Sequence, residues 1–140
     1  GLAIGDAVVT GSIDWLRPAD GSFEVVDFKT GRIDAARIEE RALSYDLQLT
    51  AYALAAEEMT GKAVSSTKVV FTDPARIVES KMTDGRRGAA LSRIERAIGG
   101  IRGEEFGRPP APPCETCPYH HNGMCWGDRL KKRKSATGCS

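Results

Sequence analysis

Two aspartates and a lysine, Asp14, Asp27 and Lys29, stand in segments that otherwise read as apolar strand: Gly11-Ser-Ile-Asp14 and Val25-Val-Asp27-Phe-Lys29-Thr-Gly31. A β-strand alternates its side chains between two faces, so Asp27 and Lys29 share one face and Phe28 takes the other. Carboxylates and ammonium groups are costly to bury unless they pair or bind a metal. Two carboxylates on neighbouring strands suit Mg²⁺ or Mn²⁺, hard ions that take oxygen ligands and keep several waters. The main-chain carbonyl of Phe28, between the two functional side chains, is a further candidate ligand. A lysine beside such an ion can orient or deprotonate a water, or neutralise charge on a phosphorane-like transition state. That is the chemistry of phosphodiester hydrolysis by metal-activated water. The plainer alternative is an Asp27–Lys29 ion pair on the solvated side of a strand; the Gly-x-Ile-Asp segment and its hairpin geometry weigh against it.

A second pair, Gln48 and Tyr52, lies four residues apart and so shares a helix face. A polar pair on a helix otherwise lined with Leu and Ala needs a polar neighbour. From the residues alone, a tyrosine hydrogen-bonded to backbone is the default reading of Tyr52.

The elements that must position these groups follow from the pattern. Ala7–Leu16 has strand propensity and ends at Arg17-Pro18; Phe23–Lys29 is a second strand, and Asp20-Gly21 between them signals an antiparallel hairpin. Residues 33–43 read as a loop with a helical turn. Ser44 to Met59 reads as a largely buried helix, with Ser44 as its cap and Thr60-Gly61 as its end. Thr67–Thr72 is a third strand and Ala75–Met82 an edge-like fourth. Leu91, Ile94, Ala97, Ile98 and Ile101 recur at helical spacing and predict a second helix over about Gly88 to Ile101. The order strand, strand, helix, strand, strand, helix predicts a small mixed sheet with helices against it, an α/β or α+β domain.

The chain has 140 residues, enough for one domain with a real core, and its 41% apolar and 28% charged content is ordinary for a soluble globular protein. No apolar run approaches the roughly 18 residues of a membrane span. Neither an initiator Met nor the basic region of a signal peptide precedes the first strand, so a domain cut from a longer protein is expected. Charge is uneven: residues 1–60 hold 11 acidic and 5 basic side chains, residues 61–140 hold 8 and 15. The acidic half carries the metal-site candidates, and the basic half suits a phosphate backbone or simply a solvated surface. Cys114, Cys117, Cys125 and Cys139 all fall in the last 27 residues, a clustering that favours metal binding in a reducing cytosol over a disulfide framework. Cys139 reads as an unpaired terminal thiol.

Taken together, Gly11-Ser-Ile-Asp14, Val26-Asp27-Phe-Lys29-Thr-Gly31 and Gln48-Leu-Thr-Ala-Tyr52-Ala-Leu-Ala55, in this order and spacing, resemble the PD-(D/E)XK nuclease superfamily. Within it the likeness is to the RecB-like branch, which includes the nuclease domains of RecB, AddA and AddB, of the AdnA and AdnB helicase–nucleases, and of the CRISPR-associated adaptation nucleases. The resemblance implies a restriction-endonuclease-like core with a C-terminal Cys-rich extension. It implies metal-ligand roles for Asp14 and Asp27 with the Phe28 carbonyl, a catalytic Lys29, and a contribution from Gln48 and Tyr52. It further implies Mg²⁺- or Mn²⁺-dependent hydrolysis of DNA, at single strands or ends, beside a helicase domain or subunit; from the cysteine context and the lack of a long apolar run, a cytoplasmic location and no membrane partner are expected. An upstream histidine helix completes the metal site in that branch; His120 and His121 do not match it.

The segment Cys114-Glu-Thr-Cys117-Pro-Tyr-His-His-Asn-Gly-Met-Cys125 resembles the tail of the branch members that carry an iron–sulfur cluster, whose fourth cysteine lies upstream of the first aspartate. Here the last gap is seven residues and no upstream cysteine is present. The resemblance implies a [4Fe–4S] cluster on Cys114, Cys117 and Cys125 in the full-length protein. Zinc on those three with His120 or His121 is the alternative. The expected organisation is a nuclease core over 1–106, a Pro-rich linker over 107–113, a Cys-rich segment over 114–127 and a basic tail over 128–140 containing Lys131 to Lys134. The rival functions are a catalytically silent DNA-binding or scaffold module of the same fold, and a zinc-binding interaction module.

Overall fold

The computed structural model describes residues 1–105, 117–122 and 124. The chain divides into two units, Gly1–Glu104 and Glu105–Ser140, each taken by itself below.

Four strands form one mixed sheet in the first unit: β3 (Trp15–Ala19), β4 (Ser22–Lys29), β5 (Val64–Phe71) and β6 (Arg76–Lys81), side by side in that order. β3 and β4 pair antiparallel through Asp20-Gly21, where Gly21 takes the left-handed φ of +76° that a tight turn needs. β4 and β5 are parallel, so the chain must cross over between them, and it does so through α1 (Ile38–Ser44) and α2 (Asp46–Thr60). β5 and β6 are antiparallel, and α3 (Asp84–Arg102) returns to pack on α2. This is the expected small mixed sheet with helices against it.

The core lies between α1–α2 and one face of the sheet. Val25 and Val64 meet Ala53 and Ala56 in one cluster, and Val69 and Phe71 meet Ile38, Ala42 and Leu49 in another. Small residues on α2 bring the helix close to the central strands. Arg86, near the start of α3, fixes the start of α2: its guanidinium donates to the Asp46 carboxylate at 2.8 Å, the Thr67 hydroxyl at 2.9 Å and the Ser80 carbonyl at 3.2 Å.

Four boundaries differ from the sequence expectation, each for a local reason. Ala7–Leu16 is two strands. β2 (Ala7–Val9) belongs to a separate hairpin with β1 (Leu2–Ile4), and the chain leaves strand geometry until β3 begins at Trp15. β3 continues through Pro18 to Ala19, which an edge strand tolerates because it need not donate a bond there. The helix expected from Ser44 is broken at Tyr45 (φ −97°, ψ −1°); Ser44 ends α1, and its hydroxyl donates to the Arg41 carbonyl at 2.6 Å instead of capping α2. α3 starts at Asp84, before the apolar period becomes visible, because the Thr83 hydroxyl accepts the Arg86 N–H at 3.2 Å as an N-cap. The expected end of α2 is met: Gly61, at φ +66°, donates to the Glu57 carbonyl at 2.9 Å.

In the second unit the described residues form one short helix, α4 (Pro118–His121), preceded by the free, half-buried Cys117. Cys114, Cys125, Cys139, the Pro-rich stretch and Lys131 to Lys134 lie outside the described residues, as does the side chain of His120. Among the described residues no helix is long and apolar enough to cross a membrane.

Candidate active site

The last residues of β4 build the site. Alternation along the strand sends Val25, Asp27 and Lys29 toward the helices and Phe28 to the opposite face, where it is exposed. Asp27 is only 2% exposed and stands opposite Val69 of β5. Its Oδ2 has Lys29 Nζ at 2.5 Å, yet that oxygen is buried and receives no well-directed hydrogen bond. The proximity decides the charge balance; the missing directed donor means that a lone pair is left over inside the protein.

Asp14 reaches the same end of the strand by another route. Its Oδ2 accepts the Phe28 N–H at 2.8 Å, a donor that would otherwise pair with backbone of β3. The carboxylate thus takes over from the β3–β4 ladder, whose last pair is Trp15 with Val26. The N–H and C=O of one strand residue point to the same edge, so the Phe28 carbonyl faces the Asp14 side. The Lys29 carbonyl faces the other edge, where it accepts the Thr72 N–H at 3.0 Å.

The helix pair supplies the opposite wall. Lys29 Nζ donates to Gln48 Oε1 at 3.5 Å, and Gln48 Nε2 donates to the Tyr52 hydroxyl oxygen at 2.9 Å. The five side chains singled out from the sequence therefore converge: Asp27, Lys29, Gln48 and Tyr52 in one line of contacts, and Asp14 one residue away through Phe28. Tyr52 is bonded to Gln48 and not to backbone, unlike its default reading.

Two further residues complete this wall and were not singled out from the sequence. The Tyr45 ring lies under Lys29, with Nζ 4.5 Å from its centroid, and the Arg41 guanidinium carbon lies 5.3 Å from the same centroid. Arg41, Tyr45, Gln48 and Tyr52 are spaced four, three and four apart, one helical stripe across the α1–α2 break. That stripe was the available signal, hidden by starting the helix at Ser44. Gly11 has a role of its own: a Cβ there would lie 2.7 Å from Tyr52 Cε1, so the loop passes the ring only because residue 11 lacks a side chain.

As a cation site, the arrangement offers oxygen donors only: Asp14, Asp27 with its leftover lone pair, and the Phe28 carbonyl. That set fits a hard divalent ion that keeps several waters. Among the described residues there is no group of three or more His, Cys, Asp or Glu side chains, so such an ion would rest on two carboxylates, main chain and water.

Away from the site, two partly buried ion-pair networks brace the sheet and its helices. Glu24 is held by Lys68 Nζ at 3.0 Å and Arg17 Nε at 2.7 Å; hydrogen bonding from Lys68 and then from Arg17 outweighs burial and holds its carboxyl below the ordinary range. Burial pushes the Glu57 carboxyl up, but Arg87 at 2.7 Å and the Val64 N–H at 2.8 Å prevail and hold it low.

Known proteins similar in sequence to this chain carry nuclease names. In Leptospira interrogans, a protein named CRISPR-associated exonuclease Cas4/endonuclease Cas1 fusion is 30% identical over 114 residues, covering 78% of this chain and 21% of the relative. An ATP-dependent helicase/nuclease subunit of Carboxydothermus hydrogenoformans is 41% identical over 64 residues, covering 46% of this chain and 6% of the relative. The chain thus spans about a fifth of one of these curated relatives and far less of the other. A crystal structure of an exonuclease candidate from Eubacterium rectale has 20% identity and a TM-score of 0.45, over 75% of this chain and 43% of that one. The family model described as PD-(D/E)XK nuclease superfamily matches residues 2–122, which takes in Asp14, Asp27, Lys29, Gln48 and Tyr52. The match runs over most of the chain, and this chain belongs to the PD-(D/E)XK nuclease superfamily.

Proposed function

We propose that the chain is a RecB-like nuclease domain that hydrolyses phosphodiester bonds in DNA with Mg²⁺ or Mn²⁺, acting on single strands or ends. The observation that carries this reading is the line Asp27–Lys29–Gln48–Tyr52 at the end of β4, with Asp14 pinned beside it by Phe28. Asp14, Asp27 and the Phe28 carbonyl are the groups that would hold the ion. When bound, a divalent ion lowers the pKa of a coordinated water and polarises the phosphoryl oxygens. Lys29, compensated by Asp27, presents N–H donors to the attacking water and to charge developing on the phosphoryl group. Gln48 accepts from Lys29 and so fixes its direction; Tyr52 fixes Gln48, leaving its own O–H free to donate toward substrate. The buried wall of Val25, Ala53 and Ala56 holds this constellation rigid.

One relative's name, helicase/nuclease subunit, supports a place beside a helicase domain or subunit; the RecB-like branch and a role in DNA-end processing and recombinational repair are proposed from the resemblance of the three motifs. We further propose that Cys114, Cys117 and Cys125 ligate a [4Fe–4S] cluster, with zinc on those three and His120 or His121 the competing reading.

The test is cleavage of a labelled single-stranded oligonucleotide by the protein that carries this chain, with Mg²⁺ or Mn²⁺. Asp27→Asn and Lys29→Ala are expected to lower the rate at least about a hundredfold, in line with removal of one electrostatic group from a preorganised site, while melting cooperatively. Wild-type rates in both variants would refute the assignment. A wild type that binds DNA without cutting would favour the silent scaffold.

A further inference from the structure

We propose that Arg41 is a phosphate-binding residue, which holds a phosphate one or two nucleotides from the scissile one; the proposal rests on the nuclease reading of the Asp27–Lys29 site. Two cations share the Tyr45 ring. Lys29 Nζ is 4.5 Å from its centroid and the Arg41 guanidinium carbon 5.3 Å. The two positive groups are therefore at most about 10 Å apart, each held by the ring's negative face. A DNA strand carries one phosphate per ~3.4 Å of axis, so a strand whose scissile phosphate meets Lys29 brings a neighbouring phosphate within reach of Arg41.

The charge balance singles out Arg41. Lys29 is compensated by Asp27 at 2.5 Å. The adjacent Glu40 is bonded by Arg37, at 3.1 and 3.2 Å, and feels the charge of Arg41 through space without an ion pair to it. Among the described residues no carboxylate stands within ion-pair distance of Arg41, which is exposed. A cation–π contact at the guanidinium carbon consumes none of its N–H donors, whose planar fork matches phosphate oxygens. Tyr45 thus fixes a cation with open donors beside the site, on the stripe that carries Gln48 and Tyr52.

The experiment uses steady-state cleavage of a single-stranded oligonucleotide by the protein that carries this chain. Arg41→Gln is expected to raise KM about tenfold, with a much smaller fall in kcat, as for loss of a charge-assisted bond made equally in ground and transition states. The slope of log affinity against log salt is expected to shrink by about 0.7, one single-strand phosphate contact, and Arg41→Lys to restore part of it. A scan of single neutral methylphosphonates identifies the partner: wild type loses about tenfold at one neighbouring position, and Arg41→Gln is indifferent to that position. A wild type that cuts, beside an Arg41→Gln variant with wild-type KM and salt slope or the same methylphosphonate penalty, overturns the Arg41 assignment alone. A wild type that neither binds nor cuts overturns both readings.

Discussion

Replacing Gly11 by alanine adds one methyl group, and the structure says where it goes. The new Cβ would lie 2.7 Å from Tyr52 Cε1 and 3.4 Å from its hydroxyl oxygen. Carbon atoms rest at about 3.5–4.0 Å, so the loop or the ring must give roughly 1 Å. The ring is not a loose end: it packs against the cluster of Val25, Ala53, Ala56 and Val64 and bonds Gln48 at 2.9 Å. Backbone geometry at residue 11 is not in the left-handed region, so alanine without the clash would stabilise by about 0.4–1 kcal/mol through the unfolded chain. With the clash, overpacking costs about 1–3 kcal/mol. The net expectation is a loss of up to about 2–3 kcal/mol, read by denaturant melting. A 1 Å displacement of a positioned group costs about a hundredfold in rate, here through Tyr52, Gln48 and Lys29. The deciding assay is a cycle with Tyr52→Ala. In that background Gly11→Ala should become stabilising and have no further effect on kcat. Equal penalties with and without the Tyr52 ring would refute the reasoning, as would a Gly11→Ala single variant that is more stable than wild type and fully active.

Acid sensitivity follows from the two bracing carboxylates. Glu24 and Glu57 are both held below their ordinary value of 4.5, so their contribution is complete above that value and disappears as pH falls through the lower folded-state values. Melting temperature should be flat from pH 7 to about 5 and fall below about 4.5; Glu57→Gln should lose about 1.5–3 kcal/mol at pH 7 and show a shallower acid limb. A Glu57→Gln acid limb as steep as that of wild type would remove Glu57 from this account. For the cysteine segment, anaerobically purified protein that carries this chain should hold iron and sulfide with visible absorbance, lost in Cys117→Ser; stoichiometric zinc without iron would overturn the cluster assignment.

Much of the candidate site's convergence was legible because its residues obey the two periods that sequence displays directly. Asp27 and Lys29 are two apart on a strand, Gln48 and Tyr52 four apart on a helix, and the pairs meet because Lys29 is long enough to reach Gln48. The hidden parts are those where one side chain replaces a backbone partner. Thr83 caps α3 so that it starts at Asp84, four residues before its expected start, and the Tyr45 break conceals the stripe that joins Arg41 to Gln48. Gly11 was visible as a motif residue, but only the fold shows Tyr52 beside it. Hydropathy pattern records which faces are buried; it does not record which polar atom ends a ladder.

Asp14 shows why the two acids are not equivalent. Asp27 is buried on a central strand, where its environment is fixed by β5 and by Lys29. Asp14 is exposed, on the last loop residue before an edge strand, and owes its place to one hydrogen bond from Phe28. That bond does two things at once. It ends the β3–β4 ladder, and by taking the N–H of Phe28 it leaves the Phe28 carbonyl facing an edge that β3 no longer covers. A strand that continued through residues 10–14 would have used that carbonyl as a ladder acceptor and turned it away from any ligand. The departure from regular strand at Asp14 is therefore the local change that brings a carboxylate, a free main-chain oxygen and the buried Asp27 to one end of the sheet.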